Sequence, residues 1–574
     1  MHVLLVCPRF PDSLWNLQGI HKLVGVASAQ SPIGLATIAA LTPPEIDVSI
    51  VDENVEPIDY EVACDAVAIS CFNVQWARTV EIVAEFRRRG RLVVIGGPYP
   101  TLCPERFEGV ADVLFVGEAE YTWPRFCRDL LAGTTPARVY EQERGKVKLT
   151  DSPVPRFDLL PKGKYLYYYI QTTRGCPFQC EFCDIIVTDG RLPRAKTVGQ
   201  VLDEIEMIHR LGGRYISFSD ANLIANPRYA EKLLVAMKDF GRRNGYPIRF
   251  SAELTLNVAQ HPRILELLRD CNFESVFIGV ESPRTGSLIE TKKLQNVRGS
   301  LIENIRTVQS YNLVVTAGMI VGFDNDDVGI FQDMFDFLQM AGTPFTTAGV
   351  LFAIEHTPLH ERLEQEGRLL PYDLSTVQVH GSADLNFTPK QMTPEELLRG
   401  YRWMIRALYR YDHYSERLVR ALESFGPECE ASRQSAKWLA SDRLGLTARI
   451  LAYFLFTRDR ARRSFFLRTV WRAMRRRPSM QKLIVTVSYM VVHRHFHEYV
   501  ERTHGDPETA GCRSPFLLVD DADPRTARML LPATNPICRP GYWAKAGKMP
   551  LSAAGEYRRG GVPHGSGAAG RTLR

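Results

Sequence analysis

The sequence predicts an α/β chain of two successive strand–helix series closed by a wholly helical extension. Three observations carry this. Short β-branched runs alternate with helical patterns between Val3 and Val116, a second alternation runs from Tyr168 to Ala353, and beyond Pro371 the strand pattern stops. With 574 residues, 45% hydrophobic and 24% charged, there is material for three or four domains with ample core. A small stapled scaffold and a wholly disordered chain are excluded.

In the first series Val3 to Val6, Val48 to Val51, Val67 to Ser70, Leu92 to Ile95 and Val113 to Val116 read as strands, with helices over Pro32 to Leu41 and Gln75 to Arg89. Apolar strands each followed by a helix imply a Rossmann-like parallel sheet covered on both faces, expected over residues 1–135. Ligands of such sheets bind beyond the carboxyl ends of the strands, where Gly96, Gly97 and Gly117 fall. Residues 136–166, rich in charge, Pro and Gly, read as a linker. The second series, over 167–370, has strands at Tyr168 to Thr172, Tyr215 to Ser219, Ile248 to Glu253, Ser275 to Val280, Val314 to Val321 and Thr347 to Ala353. Helices lie between them at Val198 to Leu211, Tyr229 to Arg242, Pro262 to Asp270, Arg298 to Tyr311 and Ile330 to Ala341. Six βα units make a partial or closed barrel whose chemistry sits at the C-terminal strand ends. Residues 371–503 read as a helical domain with helices over Thr393 to Tyr411 and most of Ser415 to Val500. The Gly-, Pro-, Arg- and Ala-rich tail 504–574 is expected to be disordered.

The formal charge is only +6, from 71 basic and 65 acidic residues, so no nucleic-acid partner is expected. Twelve cysteines fall far below the density of a disulfide scaffold, and three crowd into one segment, as in a metal or cluster site in a reducing compartment. The N-terminal MHVLLVCPRF has no basic region followed by a long apolar run, and no apolar run approaches the roughly 20 residues that span a bilayer. A cytoplasmic protein is expected, with peripheral contact at the inner face of the membrane as an option.

Just after the barrel's first strand stands Arg174-Gly175-Cys176-Pro177-Phe178-Gln179-Cys180-Glu181-Phe182-Cys183, a C-x3-C-x2-C arrangement. Three thiolates at this spacing can hold three irons of a cubane, and the lack of a local fourth cysteine leaves one iron open to a substrate or cofactor. The alternative is a zinc knuckle, which wants a fourth Cys or His at short spacing, and none stands in the loop.

On these residues the sequence resembles the radical S-adenosylmethionine (SAM) superfamily. The resemblance implies a [4Fe-4S] cluster on Cys176, Cys180 and Cys183, with Phe182 packing near the SAM adenine. Ser219-Asp220-Ala221-Asn222 ends the second strand where relatives carry Asp-Asp-Asn, with Ser219 in place of the first acid and Asp220 kept as a cofactor contact. Glu253 ends the third strand and Glu281, in Gly279-Val280-Glu281-Ser282, the fourth, at positions that look like SAM polar and ribose contacts. Gly318-Met319-Ile320-Val321-Gly322-Phe323, with Gly322, resembles the fifth-strand motif lying against the adenine. Singly, a strand-end carboxylate is as readily a solvated surface residue, and a Gly-rich strand can serve close packing alone. Their order behind the cysteines carries the reading. Arg174 and Lys196 are candidates to balance the cluster's charge or to hold a carboxylate.

A parallel α/β domain directly before such a barrel resembles the superfamily's cobalamin-binding modules. Ser31-Pro32-Ile33-Gly34-Leu35 matches the start of their first helix, and Ile95-Gly96-Gly97-Pro98-Tyr99-Pro100-Thr101 and Gly117-Glu118-Ala119-Glu120 match their later loops. Tyr99 stands where many relatives have His, and Gly19-Ile20-His21-Lys22-Leu23 departs from Asp-x-His-x-x-Gly. Cobalt is therefore expected to lack a protein histidine, and His21 to be an ordinary loop residue. The alternative is a nucleotide-holding Rossmann-like fold, against which the first βα turn has no G-x-G-x-x-G.

Asn386-Phe387-Thr388-Pro389-Lys390 with Glu395 to Tyr409 resembles the helical extension of a cobalamin-dependent subgroup that includes the hopanoid C-2 methylases. Glu181-Phe182-Cys183-Asp184-Ile185 and Gly190-Arg191-Leu192-Pro193-Arg194 fit it too. Between Arg458 and Arg477 nine arginines and one acid interleave with Phe465, Phe466, Leu467, Val470 and Trp471. This reads either as a solvated basic face or as an amphipathic helix lying on an anionic bilayer.

The resemblance implies a class B, cobalamin-dependent radical SAM methyltransferase acting on an unactivated carbon of a small-molecule or lipid substrate, with a hopanoid as first guess. One SAM methylates cobalamin, a second yields a 5'-deoxyadenosyl radical, and the substrate radical attacks methylcobalamin. The route names no general acid or base and requires an electron donor such as ferredoxin or flavodoxin. The alternatives are a cyclisation or rearrangement of a tetrapyrrole or natural-product scaffold with the same cofactors, and a non-catalytic iron–sulfur binding or sensor protein.

Overall fold

The computed structural model describes residues 1–372, 384–442 and 444–504, without the side chains of 438–444. The tail expected to be disordered lies outside the described residues from 505 onward. Seven strands precede the barrel: His2–Cys7 (β1), Ser28–Gln30 (β2), Asp47–Asp52 (β3), Ala66–Ser70 (β4), Leu92–Gly96 (β5), Val113–Val116 (β6) and Val139–Glu141 (β7). All but β2 form one parallel sheet in the order β3-β1-β4-β5-β6-β7. Its middle strands are apolar because both faces are covered. On β1, Val3 and Leu5 pack with Leu35, Ala36 and Ala39 of helix Ile33–Leu41, while Leu4 and Val6 pack with Ile82, Val83 and Phe86 of helix Trp76–Arg88. The stretch 136–166, expected to be only a linker, supplies β7 as the sixth strand, with Tyr140 buried against Phe115.

The later strands are Tyr165–Ile170 (β8), Thr173–Arg174 (β9), Arg194–Ala195 (β10), Tyr215–Phe218 (β11), Arg249–Leu254 (β12), Phe273–Glu281 (β13), Val314–Val321 (β14) and Phe345–Val350 (β15). Six of them form the curled half-barrel the sequence predicts, in the order β15-β14-β13-β12-β11-β8, and every pair is parallel. A seventh strand adds to its edge: β2, from within the first domain, pairs Ser28 with Tyr165 and Gln30 with Tyr167. The two sheets are thus linked through more than the chain between them. β9 and β10 make a short antiparallel ribbon that closes the base of the cysteine loop.

The helical extension begins at Pro394, where Thr393 and Glu396 cap the helix reciprocally. The helix expected over Thr393 to Tyr411 is Pro394–Leu408, and the next, expected from Ser415, is Tyr411–Glu423, starting after Arg410, which is extended between them. The 25-residue helix Met480–His504 runs back to the first domain, where His495 accepts from the Gly19 N–H (3.1 Å) and donates to the Ser13 carbonyl (2.9 Å). No helix among the described residues is long and apolar enough to cross a membrane.

Candidate active site at the mouth of the half-barrel

The cysteine loop leaves β9 through Gly175, whose φ of +90° and whose approach to the Leu192 and Gly190 carbonyls (2.8 and 3.0 Å from a would-be Cβ) admit no side chain. The loop is then tied down on both flanks. Cys176 N–H donates to Gly190 O (3.1 Å), Glu181 N–H donates to Thr291 O (3.1 Å), and the Glu181 carboxylate pairs with Arg362 at 2.8 Å. Beneath it lies Asp220, fully buried, with one carboxylate oxygen accepting from the amides and hydroxyls of Thr172 and Thr173. One oxygen of Asp220, expected at the cofactor, thus holds the turn that launches the loop, while its buried Oδ2 has no hydrogen-bond partner among the described residues.

Cys180 is buried, Cys176 and Cys183 are half-buried, and all three are free. Their sulfurs do not all lie within 4.8 Å of one another. Ligands of one zinc ion, at about 2.3 Å from the metal, would have to. Three thiols with no fourth Cys or His in the loop are a donor set that fits three irons of a cubane, with its fourth corner left without a protein ligand. Burial pushes the thiols of Cys176 and Cys183 up, and Lys293 pulls against it. Burial also opposes the charge of Lys293, but Glu281, Cys180 and Cys183 hold its pKa above the ordinary lysine value. Its Nζ lies 2.7 Å from Glu281 Oε1 and 5.9 Å from the centre of the Phe182 ring. Glu281 itself ends β13 at φ +68°, next to a register shift, a strained conformation for a carboxylate residue and one typical of functional positions. Phe182 packs on Phe323, 6.0 Å between ring centres, just after Gly322. There the amides of Gly322 and Phe323 both donate to Asp326 (2.9 and 3.1 Å).

The concave face of the half-barrel follows from register. Ser217 pairs with Tyr169 on one side and Ser251 on the other, and Glu253 lies two residues beyond Ser251 on the same face. The opposite face carries the buried Ile170, Phe218, Ala252 and Leu254. Glu253 is exposed on this face of the sheet. The surrounding protein, with some repulsion from Asp220, pushes its carboxyl up to about 7.

Across the mouth lie the strand-end loops of the first domain. Gly97, at φ +112°, lets the β5 loop close on β4, since a Cβ there would fall 2.9 Å from Cys71 N. Tyr99 is buried and its hydroxyl donates to Glu355, beyond β15, at 3.4 Å. Cys103 (3.1 Å) and Arg106 converge on the same carboxylate. After β6 and Gly117, Glu118 and Glu120 each meet Arg174 at 2.7 Å, and Glu118 also holds Arg194. Arg174 thus clamps the cysteine loop to the first domain rather than facing the cysteines, and Lys196 pairs with buried Glu204. The charge beside the thiols is Lys293, which no motif announced. At these strand ends nothing lies within 4 Å of where a Cβ on Gly34 would stand, and Phe72 is 43% exposed. His21 sits on helix Gln18–Val24, not in a loop, and burial lowers its pKa.

Residues 23–126 match the model of the B12 binding domain, 170–338 that of the radical SAM superfamily, and 357–509 a domain of unknown function, DUF4070. An uncharacterized methyltransferase of Synechocystis is 36% identical over 438 residues, 75% of this chain and 81% of that protein. The hopanoid C-2 methylase of Rhodopseudomonas palustris is 34% identical over 377 residues, 65% of this chain and 71% of that protein. The radical SAM methyltransferase TsrM of Kitasatospora setae, solved with cobalamin and a [4Fe-4S] cluster, shares the fold with a TM-score of 0.51 at 16% identity, over 70% of this chain and 85% of TsrM. Neither the rearrangement nor the sensor alternative gains support from these relatives. The chain belongs to the B12-binding radical SAM family of methyltransferases, whose cofactors are cobalamin, SAM and a [4Fe-4S] cluster.

Proposed function

We propose that this methyltransferase places a methyl group on an unactivated carbon of a hydrophobic polycyclic lipid of the hopanoid type. The observation that carries it is the meeting, at one barrel mouth, of the three-cysteine loop, the Lys293–Glu281 pair and the strand-end loops of the first domain. The lipid class is supported by the 34% identity to a hopanoid C-2 methylase. Bound there, the cluster with SAM supplies hydrogen-atom abstraction and cobalamin supplies the methyl group.

The chain's own residues bind, orient and exclude water. Cys176, Cys180 and Cys183 would hold three irons, and Lys293 would offset the negative charge so gathered. Glu281 and Glu253 would receive polar groups of SAM, while Phe182 and the turn at Gly322 would pack against its adenine. Gly96, Gly97, Tyr99 and Gly117 would border cobalamin, with Tyr99 turned to Glu355 rather than offering a histidine-like ligand. A small iron–sulfur or flavin protein of the ferredoxin or flavodoxin class would deliver the electron. The test is anaerobic incubation of reconstituted protein with SAM, cobalamin, reductant and extracted hopanoids. Expected is a product heavier by one methyl; an unchanged lipid fraction, with 5'-deoxyadenosine still formed, would reject the substrate class.

A further inference from the structure

Helix Leu444–Leu455 is joined by a short turn to helix Arg460–Met474. The second helix already satisfies its buried side: Phe465, Phe466, Thr469 and Ala473 face inward, with Phe466 stacked on Phe454 and the Thr469 hydroxyl 2.8 Å from that of Ser415. Its outer side is not what a merely solvated basic face would need. Leu467 is 53% and Trp471 62% exposed, one helical turn apart, and Phe456 at the turn between the helices is 87% exposed.

Around these apolar groups stand Arg458, Arg460, Arg468, Arg472, Arg475 and Arg477, which form no ion pair among the described residues. Arg476 reaches only Glu423, at 3.9 Å. The one acid of the stretch, Asp459, is turned to the helix N-terminus, where its carboxylate accepts from the Arg462 N–H at 3.0 Å. The patch is therefore strongly positive, with Leu467 and Trp471 exposed between its arginines and Arg475 5.4 Å over the Trp471 ring. Phosphates in a plane over hydrocarbon complement both features; a nucleic acid or an acidic protein would leave Phe456, Leu467 and Trp471 in water.

We infer that this helix pair is the docking face for an anionic phospholipid bilayer, with Arg460–Met474 lying in the membrane plane and Phe456, Leu467 and Trp471 in the headgroup boundary. The inference stands on these residues and not on which molecule is methylated. Each arginine near an anionic surface adds roughly fivefold in affinity. The test is flotation of the full chain with vesicles of phosphatidylcholine alone and of phosphatidylcholine mixed with phosphatidylglycerol. Binding is expected to the mixed vesicles only, weakening with salt. L467S/W471S should abolish it, and R468Q/R472Q/R475Q should weaken it on the order of 100-fold. Both variants should melt as wild type does, since these side chains are exposed. Failure of the wild type to float with the mixed vesicles, flotation of the variants like wild type, or retention by DNA instead of vesicles would overturn the inference. Flotation without methylation of any lipid would leave it intact and reject only the proposed substrate.

Discussion

Lys293 and Glu281 are each about nine-tenths buried and depend on one another. Removing one partner of such a pair strands the other charge, so Lys293→Met should cost about 3–5 kcal/mol in urea unfolding of the cofactor-free protein, with Lys293→Arg recovering part. Glu253 acts in the other sense. Its carboxyl is pushed up to about 7 by the surrounding protein, above its unfolded value, so the folded state holds more protons between about pH 4.5 and 7. Its contribution to stability is lost as pH rises through that window. Glu253→Gln should therefore melt higher than wild type at pH 8 and lose the advantage near pH 4.5, which parallel melting curves will show. The cysteines are legible by their spacing, whereas the bonds of Asp220 to Thr172 and Thr173 carry no sequence signal. Lys293 lies twelve residues after its partner on an irregular segment, and only tertiary folding brings it to the thiols.

Short elements do the joining here. The β9–β10 ribbon pinches the cysteine loop, and Gly175 at its exit has both a positive φ and carbonyls where a methyl would go. Gly175→Ala should destabilise the loop by about 1–3 kcal/mol and lower bound iron after reconstitution, measured as iron per chain, while far-UV circular dichroism stays unchanged. The long strands and helices were legible because their apolar periodicity is strong: Val314–Val321, Pro262–Asp270 and Ile330–Ala341 fall where the pattern puts them. β2 and β7 were not, since three residues, Ser-Ala-Gln or Val-Tyr-Glu, carry no readable period and acquire strand geometry only from the neighbour they pair with. The break between helices Pro394–Leu408 and Tyr411–Glu423 was expected a few residues later, after Tyr411, because no Pro or Gly marks Arg410.

Across the whole molecule, helix Met480–His504 fastens the C-terminal extension to the first domain through His495, whose two ring nitrogens are both occupied in the neutral form. Burial lowers its pKa to about 4, below the unfolded value of 6.5. The unfolded chain therefore binds more protons between these limits; this stability is complete above pH 6.5 and is lost as pH falls toward 4, by about 3 kcal/mol. His493, lowered to about 3 by burial, acts in the same direction. Urea unfolding at pH 7.5 and 5 should differ accordingly, and His495→Gln should narrow the gap. The edge strand β2 carries a consequence of another kind. On the ribosome, residues 28–30 emerge well before the strand beginning at Tyr165 that completes them. At about 5–20 residues per second the nascent edge waits on the order of ten seconds for its partner. During synthesis, then, the second sheet's outermost strand is a dangling segment that a chaperone must shield or the early domain must hold in trust.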